Sequence, residues 1–269
     1  MASKVIEFRR PGWPTEPSSL IDTVTIRERS DILKAAKVLA KAADDREMRV
    51  MALHDISSEQ PMVDAEGTEL NSSVFGWDPD SYGLWNEVER ASRSQIVRAC
   101  RVEGEPFWVN RNGFWTGREN PFIKGITLDD FEERSSFGAA IVIPVHLPFG
   151  RIAAAVLSST DCSKDDLARE FAQFGTLLTD LCRRFLTSYV GCMRDNPYLP
   201  YPEVLTKREV ECIRWAAFGK TDNEISIILD RSHATVRYRI KRVCDKLGAA
   251  NRAQAVFRAC QLGYLGSVA

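Results

Sequence analysis

Between residues 26 and 43 the apolar positions Ile32, Leu33, Ala36, Val38, Leu39 and Ala43 interleave with Lys34, Lys37 and Lys41, the spacing of an amphipathic helix. Asp31, near its start, suits the positive end of the helix dipole. Residues 48–53 read as a strand, 79–100 as helical with a break near Ala91 and Ser92, and 106–110 as a short aromatic strand. The clearest strands are 139–147 and 151–159, and Pro148, Phe149 and Gly150 between them predict a hairpin. Leu167, Phe171, Phe174, Leu178, Leu181 and Phe185 then recur at steps of three and four through a long helix, with Ser163 at its start and Asp165 and Asp166 in its first turn. This order predicts an α+β fold, an N-terminal α/β/α sandwich whose antiparallel sheet is flanked by helices.

After residue 203 the pattern becomes wholly helical. Thr206 with Glu209, and Thr221 with Glu224, have the spacing of capping boxes; Gly219 is placed to end the first of these helices, and Ser232 to cap a third. Ile225, Ile228 and Leu229 give the second helix an inner face, and Val236, Ile240, Val243 and Leu247 the third. Only Asp230, Arg231 and Ser232 separate the two patterns, which fits a helix-turn-helix. Upstream, Pro197, Pro200 and Pro202 cannot continue a helix and mark a linker. The expected organisation is an extended arm at 1–25, a sensory-type α+β domain at 26–190, a linker at 191–203 and an all-α helix-turn-helix domain at 204–269.

Composition sharpens this division. The 269 residues carry a net charge of only −1, yet residues 203–269 hold 12 Lys/Arg against 7 Asp/Glu, a net of +5, leaving −6 on the rest. The basic excess gathers on the third helix, where Arg237, Arg239, Lys241, Arg242 and Lys246 face one acid, Asp245. Arg237 and Lys241, four apart and away from the Val236/Ile240/Val243 stripe, form a face able to enter a DNA major groove. A basic helix that merely faces water is the competing reading, and the capping boxes and short turn weigh against it.

Other chemistry is sparse. Seven widely spaced cysteines without a Cys-x-x-Cys pair, and only three histidines, predict neither a disulfide framework nor a metal site; Cys100, Cys182, Cys212, Cys244 and Cys260 read as small buried residues in a reducing compartment. His54 and His146 read as ordinary core or surface histidines. Asn71, Ser72 and Ser73 have glycosylation spacing that is incidental without a signal peptide. Gly-x-Ser-x-Gly, P-loop and dinucleotide motifs are absent, so no enzyme and no cofactor is expected. No apolar run is long enough to span a membrane, and Met1 opens onto Ala-Ser-Lys-Val-Ile-Glu rather than a basic start with an apolar segment, so a cytoplasmic protein without membrane contact is expected.

The run from Leu205 to Glu209, the segment from Trp215 to Thr221, Asn223 to Ile225, Thr235 with Val236, Lys246 to Gly248, Arg252, and Ala255 with Val256 resemble the DNA-binding domain of LuxR-type transcription regulators. That resemblance implies a four-helix bundle with base-reading positions at Arg237 and Lys241 and phosphate contacts at Thr235, Arg239 and Arg242; Thr221, and His233 in the first turn of the reading helix, complete the DNA-binding set. Tyr238 stands where many relatives have histidine. Element order, Pro106 with Phe107, and the run from Phe137 through Ile141, Val142, Ile143 and Pro144 to Gly150, Leu157 and Ser158 resemble the autoinducer-binding domain of quorum-sensing members. This second resemblance implies a homodimer and an N-acyl homoserine lactone site.

The ligand residues transfer poorly. The family's Asp-Pro-Val-Val segment falls on residues 94–97, so its aspartate is Ser94, without the charge for the strong hydrogen bond. The family's lactone-contacting tryptophan falls at Val109, its tyrosine at Trp85, its other tryptophan at Ser81, and a usual glycine at Ala140. Aromatics nonetheless crowd these positions, and Trp77, Tyr82, Trp85, Ser94, Phe107, Trp108 and Trp115 form the candidate ligand set for a small hydrophobic molecule, a lactone or a different compound. Such rings also serve simply as core. The reading is a ligand-responsive regulator whose partners are an operator in double-stranded DNA, a second copy and RNA polymerase. A ligand-independent regulator, or one controlled by a protein partner, is the alternative.

Overall fold

A computed structural model describes residues 20–78, 94–128, 131, 137–193 and 204–266. Two compact units form, the first built mainly from the described residues up to Met193 and the second mainly from those after it. The expected arm up to residue 19, the helical stretch 79–93 and the proline linker lie outside the described residues.

The first unit contains α1 (Leu20–Thr23), α2 (Ile32–Asp44), β1 (Met48–Leu53), α3 (Leu70–Ser73), α4 (Gln95–Val102), β2 (Phe107–Asn110), β3 (Gly113–Thr116), α5 (Pro121–Lys124), β4 (Ala139–His146), β5 (Ile152–Ser159) and α6 (Ala168–Cys192). The strands make one sheet in the order β1-β5-β4-β2-β3, with β1 antiparallel to β5 and β2 antiparallel to both β3 and β4. Central β4 and β5 are buried along nearly their whole length, which is why they read as unbroken apolar runs. A strand covered on both faces requires a layer on each side, and the sandwich follows. Pro144 lies beyond the β2 pairing, which ends at Phe107 opposite Val142, so its missing N–H breaks no bond of that ladder.

The outer edge of β1 is closed by side chains. Asn71 Oδ1 accepts from the Ala52 N–H and its Nδ2 donates to the Ala52 carbonyl, both at 3.0 Å, while the Trp77 indole N–H donates to the Val50 carbonyl at 2.7 Å. An amide side chain thus mimics a sixth strand at one residue. Asn71→Ala would leave both Ala52 groups buried and unpaired, and is expected to cost about 2 kcal/mol in urea unfolding, whereas Ser73→Ala at the exposed end of α3 should be near neutral.

Several boundaries depart from the periodicity. The helix expected over 26–43 begins at Ile32, because the Asp31 carboxylate accepts from the N–H groups of Arg27 and Glu28 and closes a 3-10 turn ahead of it. Its buried face is richer in alanine than expected, with Ala35 and Ala42 inside and Leu33 exposed. The core also starts before residue 26, since Val24 is buried behind α1.

The long helix begins at Ala168 rather than near Ser163. Asp161 accepts from both the N–H and the hydroxyl of Ser163, and Asn110 Nδ2 donates to the Asp165 carbonyl at 2.6 Å, holding 161–166 as a loop. That loop crosses Gly138 so closely that a Cβ there would stand 2.8 Å from the Lys164 carbonyl oxygen. Strand β3 had no reading in the pattern. The cysteines divide: Cys100, Cys182 and Cys212 are buried as expected, Cys244 is half-buried, and Cys260 is exposed. Burial pushes the Cys100 and Cys182 thiols up to about 12.

The second unit contains α7 (Lys207–Ala217), α8 (Asp222–Ile228), α9 (His233–Lys246) and α10 (Arg252–Gln261) around a core that includes Ile213, Ile225, Val236, Ile240, Val243, Leu247 and Ala255. Both expected capping boxes form, Thr206 with Glu209 and Thr221 with Glu224, and the Ser232 hydroxyl accepts from the Thr235 N–H. Gly219 takes φ 79, the left-handed conformation that ends α7. The turn between α8 and α9 is longer than expected by Leu229, which caps α8 from outside its last turn. Asp230 supplies a left-handed residue there with φ 49, and the Arg231 N–H returns to the Ser226 carbonyl at 2.9 Å.

Candidate functional site

Along α9 the side chains sort by helical period. Val236, Ile240 and Val243 point into the core, while Ala234, Arg237, Tyr238, Lys241, Arg242 and Asp245 are exposed at steps of three and four. This is one continuous polar face, with three cations and the Tyr238 ring upon it. Among the described residues no acidic group pairs with Arg237, Lys241 or Arg242. Such a face offers bidentate guanidinium donors and a point charge to base edges and phosphates.

Three other cations of this unit, Lys246, Arg252 and Arg258, are occupied in holding it together. Lys246 Nζ lies 2.9 Å from Glu209 Oε2 and 3.1 Å from the Val204 carbonyl, with only about a tenth of either charged side chain exposed. Lys246 therefore lies off the exposed face of α9, although it counts toward the basic excess of that helix. Its partner Glu209 also accepts from the Thr206 N–H at 2.7 Å, so one carboxylate closes the cap of α7 and fastens the C-terminal end of α9. Burial pushes the Glu209 carboxyl up, but the Thr206 bonds and the Lys246 charge outweigh it and hold the group below its ordinary range. Arg252 bonds the Asp222 carboxylate and the Lys220 carbonyl, and Arg258 donates to the Leu247 and Gly248 carbonyls at the end of α9.

The remaining residues of the DNA-binding set divide in the same way. Arg239 is half-buried with its guanidinium against the Cys212 thiol, so it turns inward from the exposed face. Thr235 is half-buried and its hydroxyl lies 2.8 Å from that of Ser232. His233 is exposed in the first turn of α9, and Thr221 is exposed at the start of α8 with its hydroxyl on the Glu224 carboxylate. Tyr238, between Arg237 and Lys241 and 63% exposed, was not in the set, although the same period places it on the face.

The aromatic set of the first unit falls into separate clusters. Trp77 meets Phe137 edge-on at 6.3 Å, Phe137 meets Phe131, and the Arg49 guanidinium lies 5.5 Å from the Trp77 ring. Trp108 and Trp115, directly opposite in the β2–β3 ladder, stack at 3.8 Å with planes 7° apart. Phe107 meets Phe114 at 5.9 Å on the other face of that ladder. Ser94 caps α4, accepting from the Val97 N–H. Tyr82 and Trp85 lie outside the described residues. A groove of about 870 Å³ is lined by Phe114, Trp115 and Ile123 among others.

Residues 203–259 match the family described as bacterial regulatory proteins, luxR family. The transcriptional activator protein VanR of Vibrio anguillarum is 33% identical over 137 residues, 50% of this chain and 56% of VanR, so the match spans little more than half of that relative. The transcriptional activator protein AhyR of Aeromonas hydrophila is 27% identical over 200 residues, 71% of this chain and 73% of AhyR. A crystal structure of Escherichia coli SdiA aligns at a TM-score of 0.49 and 15% identity over 91% of this chain and 95% of its own. With its two capped helices, its short turn and its exposed cationic face, the C-terminal unit of this chain is a helix-turn-helix domain of the luxR family of bacterial regulatory proteins.

Proposed function

We propose that the chain is a dimeric transcription regulator of the bacterial cytoplasm that carries α9 into the major groove of a two-fold-symmetric operator, acts on RNA polymerase there, and answers to a small hydrophobic molecule held by its N-terminal unit. The observation that carries the DNA-binding part is the exposed face of Arg237, Lys241 and Arg242, without an acidic partner among the described residues, on a helix whose opposite side is core. Arg237 and Lys241 read base edges, while Arg242, His233 and Thr221 hold phosphates. A symmetric dimer places its half-sites about one helical turn apart, roughly 10 bp. Relatives named as transcriptional activators support this assignment. Selection of binding sites from random duplexes tests it: a palindromic consensus is expected, and enrichment of unrelated sequences would overturn it.

For the ligand, Ser94 is the informative position. Its hydroxyl supports the first turn of α4, and aspartate caps a helix as well as serine does. Ser94→Asp therefore keeps the fold while adding a carboxylate. Long-chain N-acyl homoserine lactones are expected to raise the thermal midpoint of Ser94→Asp more than that of the unaltered protein, which instead gains from an aromatic or lipid-like compound. Equal gains from the lactone in both proteins would remove the special place of position 94. Ser94's lack of charge also favours a second reading, a regulator that needs no ligand; operator affinity and dimerisation unchanged by every stabilising compound would select it.

A further inference from the structure

Phe171, Gly175, Thr179 and Arg183 follow one another at steps of four along α6, with Thr176 and Asp180 beside them, so the six share one face of that helix. Glu105 and Pro106, just before β2, join them to line a pocket of about 280 Å³. The Arg183 guanidinium ties the two segments together, donating to the Gly104 carbonyl at 2.9 Å. Gly175 lets the Phe171 ring lie close over the helix, since a Cβ there would stand 3.2 Å from it. None of the aromatic candidates for the hydrophobic signal lines this pocket.

Thr179 is the most buried polar side chain of the lining, 5% exposed, and its Oγ1 has no hydrogen-bond partner among the described residues. A helical threonine commonly returns its hydroxyl to a carbonyl one turn back; this one does not. Burying a hydroxyl without a partner costs stability that the fold does not recover elsewhere. Because Thr179 lines the pocket, a rotation about χ1 between the two wells that threonine uses in helices offers the hydroxyl to an occupant.

We propose that this pocket is a separate binding site for a small primary amine with an aromatic body. Charge sets the class. Two carboxylates, Glu105 and Asp180, stand against one cation, and Arg183 is already engaged by Gly104 and lies 3.9 Å from Glu105. Asp180 has no cationic partner among the described residues. An ammonium carries three donors, one for the Asp180 carboxylate and one for the Thr179 oxygen, while the Phe171 ring and Pro106 supply apolar surface for the body. The volume falls just below the range of about 300–1,000 Å³ typical of drug-sized ligands, which limits the occupant to a small molecule.

The probe is 2-phenylethylamine, titrated calorimetrically against the full chain beside 2-phenylethanol and phenylacetate, which keep the ring and exchange the charge. Saturation by the amine is expected at or below about 1 mM, with both analogues at least about tenfold weaker. Asp180→Asn, at an exposed position, should leave the melting curve in place and weaken the amine about tenfold. Thr179→Val should weaken it similarly while raising the thermal midpoint by about 2 °C, because it removes the unpaired hydroxyl and keeps the shape. Thr187→Val, at an exposed position of α6 away from the pocket, should bind the amine as the unaltered protein does. The proposal is overturned if the amine does not saturate, if the alcohol binds equally well, or if the Asp180 and Thr179 variants bind no worse than Thr187→Val. A midpoint for Thr179→Val at or below that of the unaltered protein would also overturn it, since the hydroxyl would then already have a partner.

Discussion

Replacing Lys246 by methionine is expected to destabilise the C-terminal domain by about 3 kcal/mol, the lower end of the cost of breaking a buried ion pair from one side. The change leaves the Glu209 carboxylate in the core with the Thr206 N–H as its remaining hydrogen-bond partner among those given above, and frees the Val204 carbonyl from Lys246. Hydrogen exchange of the α7 to α10 amides in the full chain measures the loss without involving the first unit. The double variant Glu209→Gln with Lys246→Met removes both charges while glutamine can still accept from Thr206, and should recover most of the stability. If the single and double variants were equally unstable, Lys246 would matter through its packing rather than its charge. The pH dependence has a definite sign. Glu209 is held below its ordinary carboxylate range when folded, so its contribution is fully present above the unfolded value and is lost as pH falls through the folded one. Acid should therefore loosen this domain, and Glu209→Gln should remove that part of the acid transition.

The same pair shows where the sequence could be read and where it could not. A capping box is a local device with fixed spacing, so Thr206 with Glu209 and Thr221 with Glu224 were legible, as were strands β1, β4 and β5, whose apolar runs reflect burial on both faces. Lys246 meets Glu209 across the fold, 37 residues away, and nothing in the local pattern distinguishes it from the cations on the exposed face of α9. Arg239 is similar: it turns inward because Cys212 of α7 packs beneath it. Strand β3 was missed because only four residues, two of them Gly113 and Thr116, cannot establish an alternation; the Trp108–Trp115 stack that fixes its register is visible only once the strands are paired. The aromatic set had been read as one group, and the pleat separates it. Phe107 and Trp108 are neighbours in sequence and therefore stand on opposite faces.

Arg237→Ala is expected to cost about 1–3 kcal/mol of operator affinity and to relax the preference at one base pair in each half-site. Both effects follow from geometry already fixed by α9. Arg237 is exposed one residue after buried Val236 and four before Lys241, so in the proposed docking of α9 its guanidinium is one of the two cations assigned to the base edges. Arg242, a further residue around the helix, serves as the internal control, because a phosphate contact weakens every sequence alike and lowers the slope of log affinity against log salt by about one unit. Comparing each variant on the selected operator and on random duplex over a range of salt separates the two roles. Equal loss on both DNAs for Arg237→Ala would make it a phosphate contact, and a loss confined to the operator for Arg242→Ala would exchange the roles. Since both side chains are exposed and neither belongs to the Val236, Ile240 and Val243 stripe that holds α9 in the bundle, both variants should melt with the unaltered protein, and a lowered midpoint would mean that lost folding, not lost contact, explains the weaker binding.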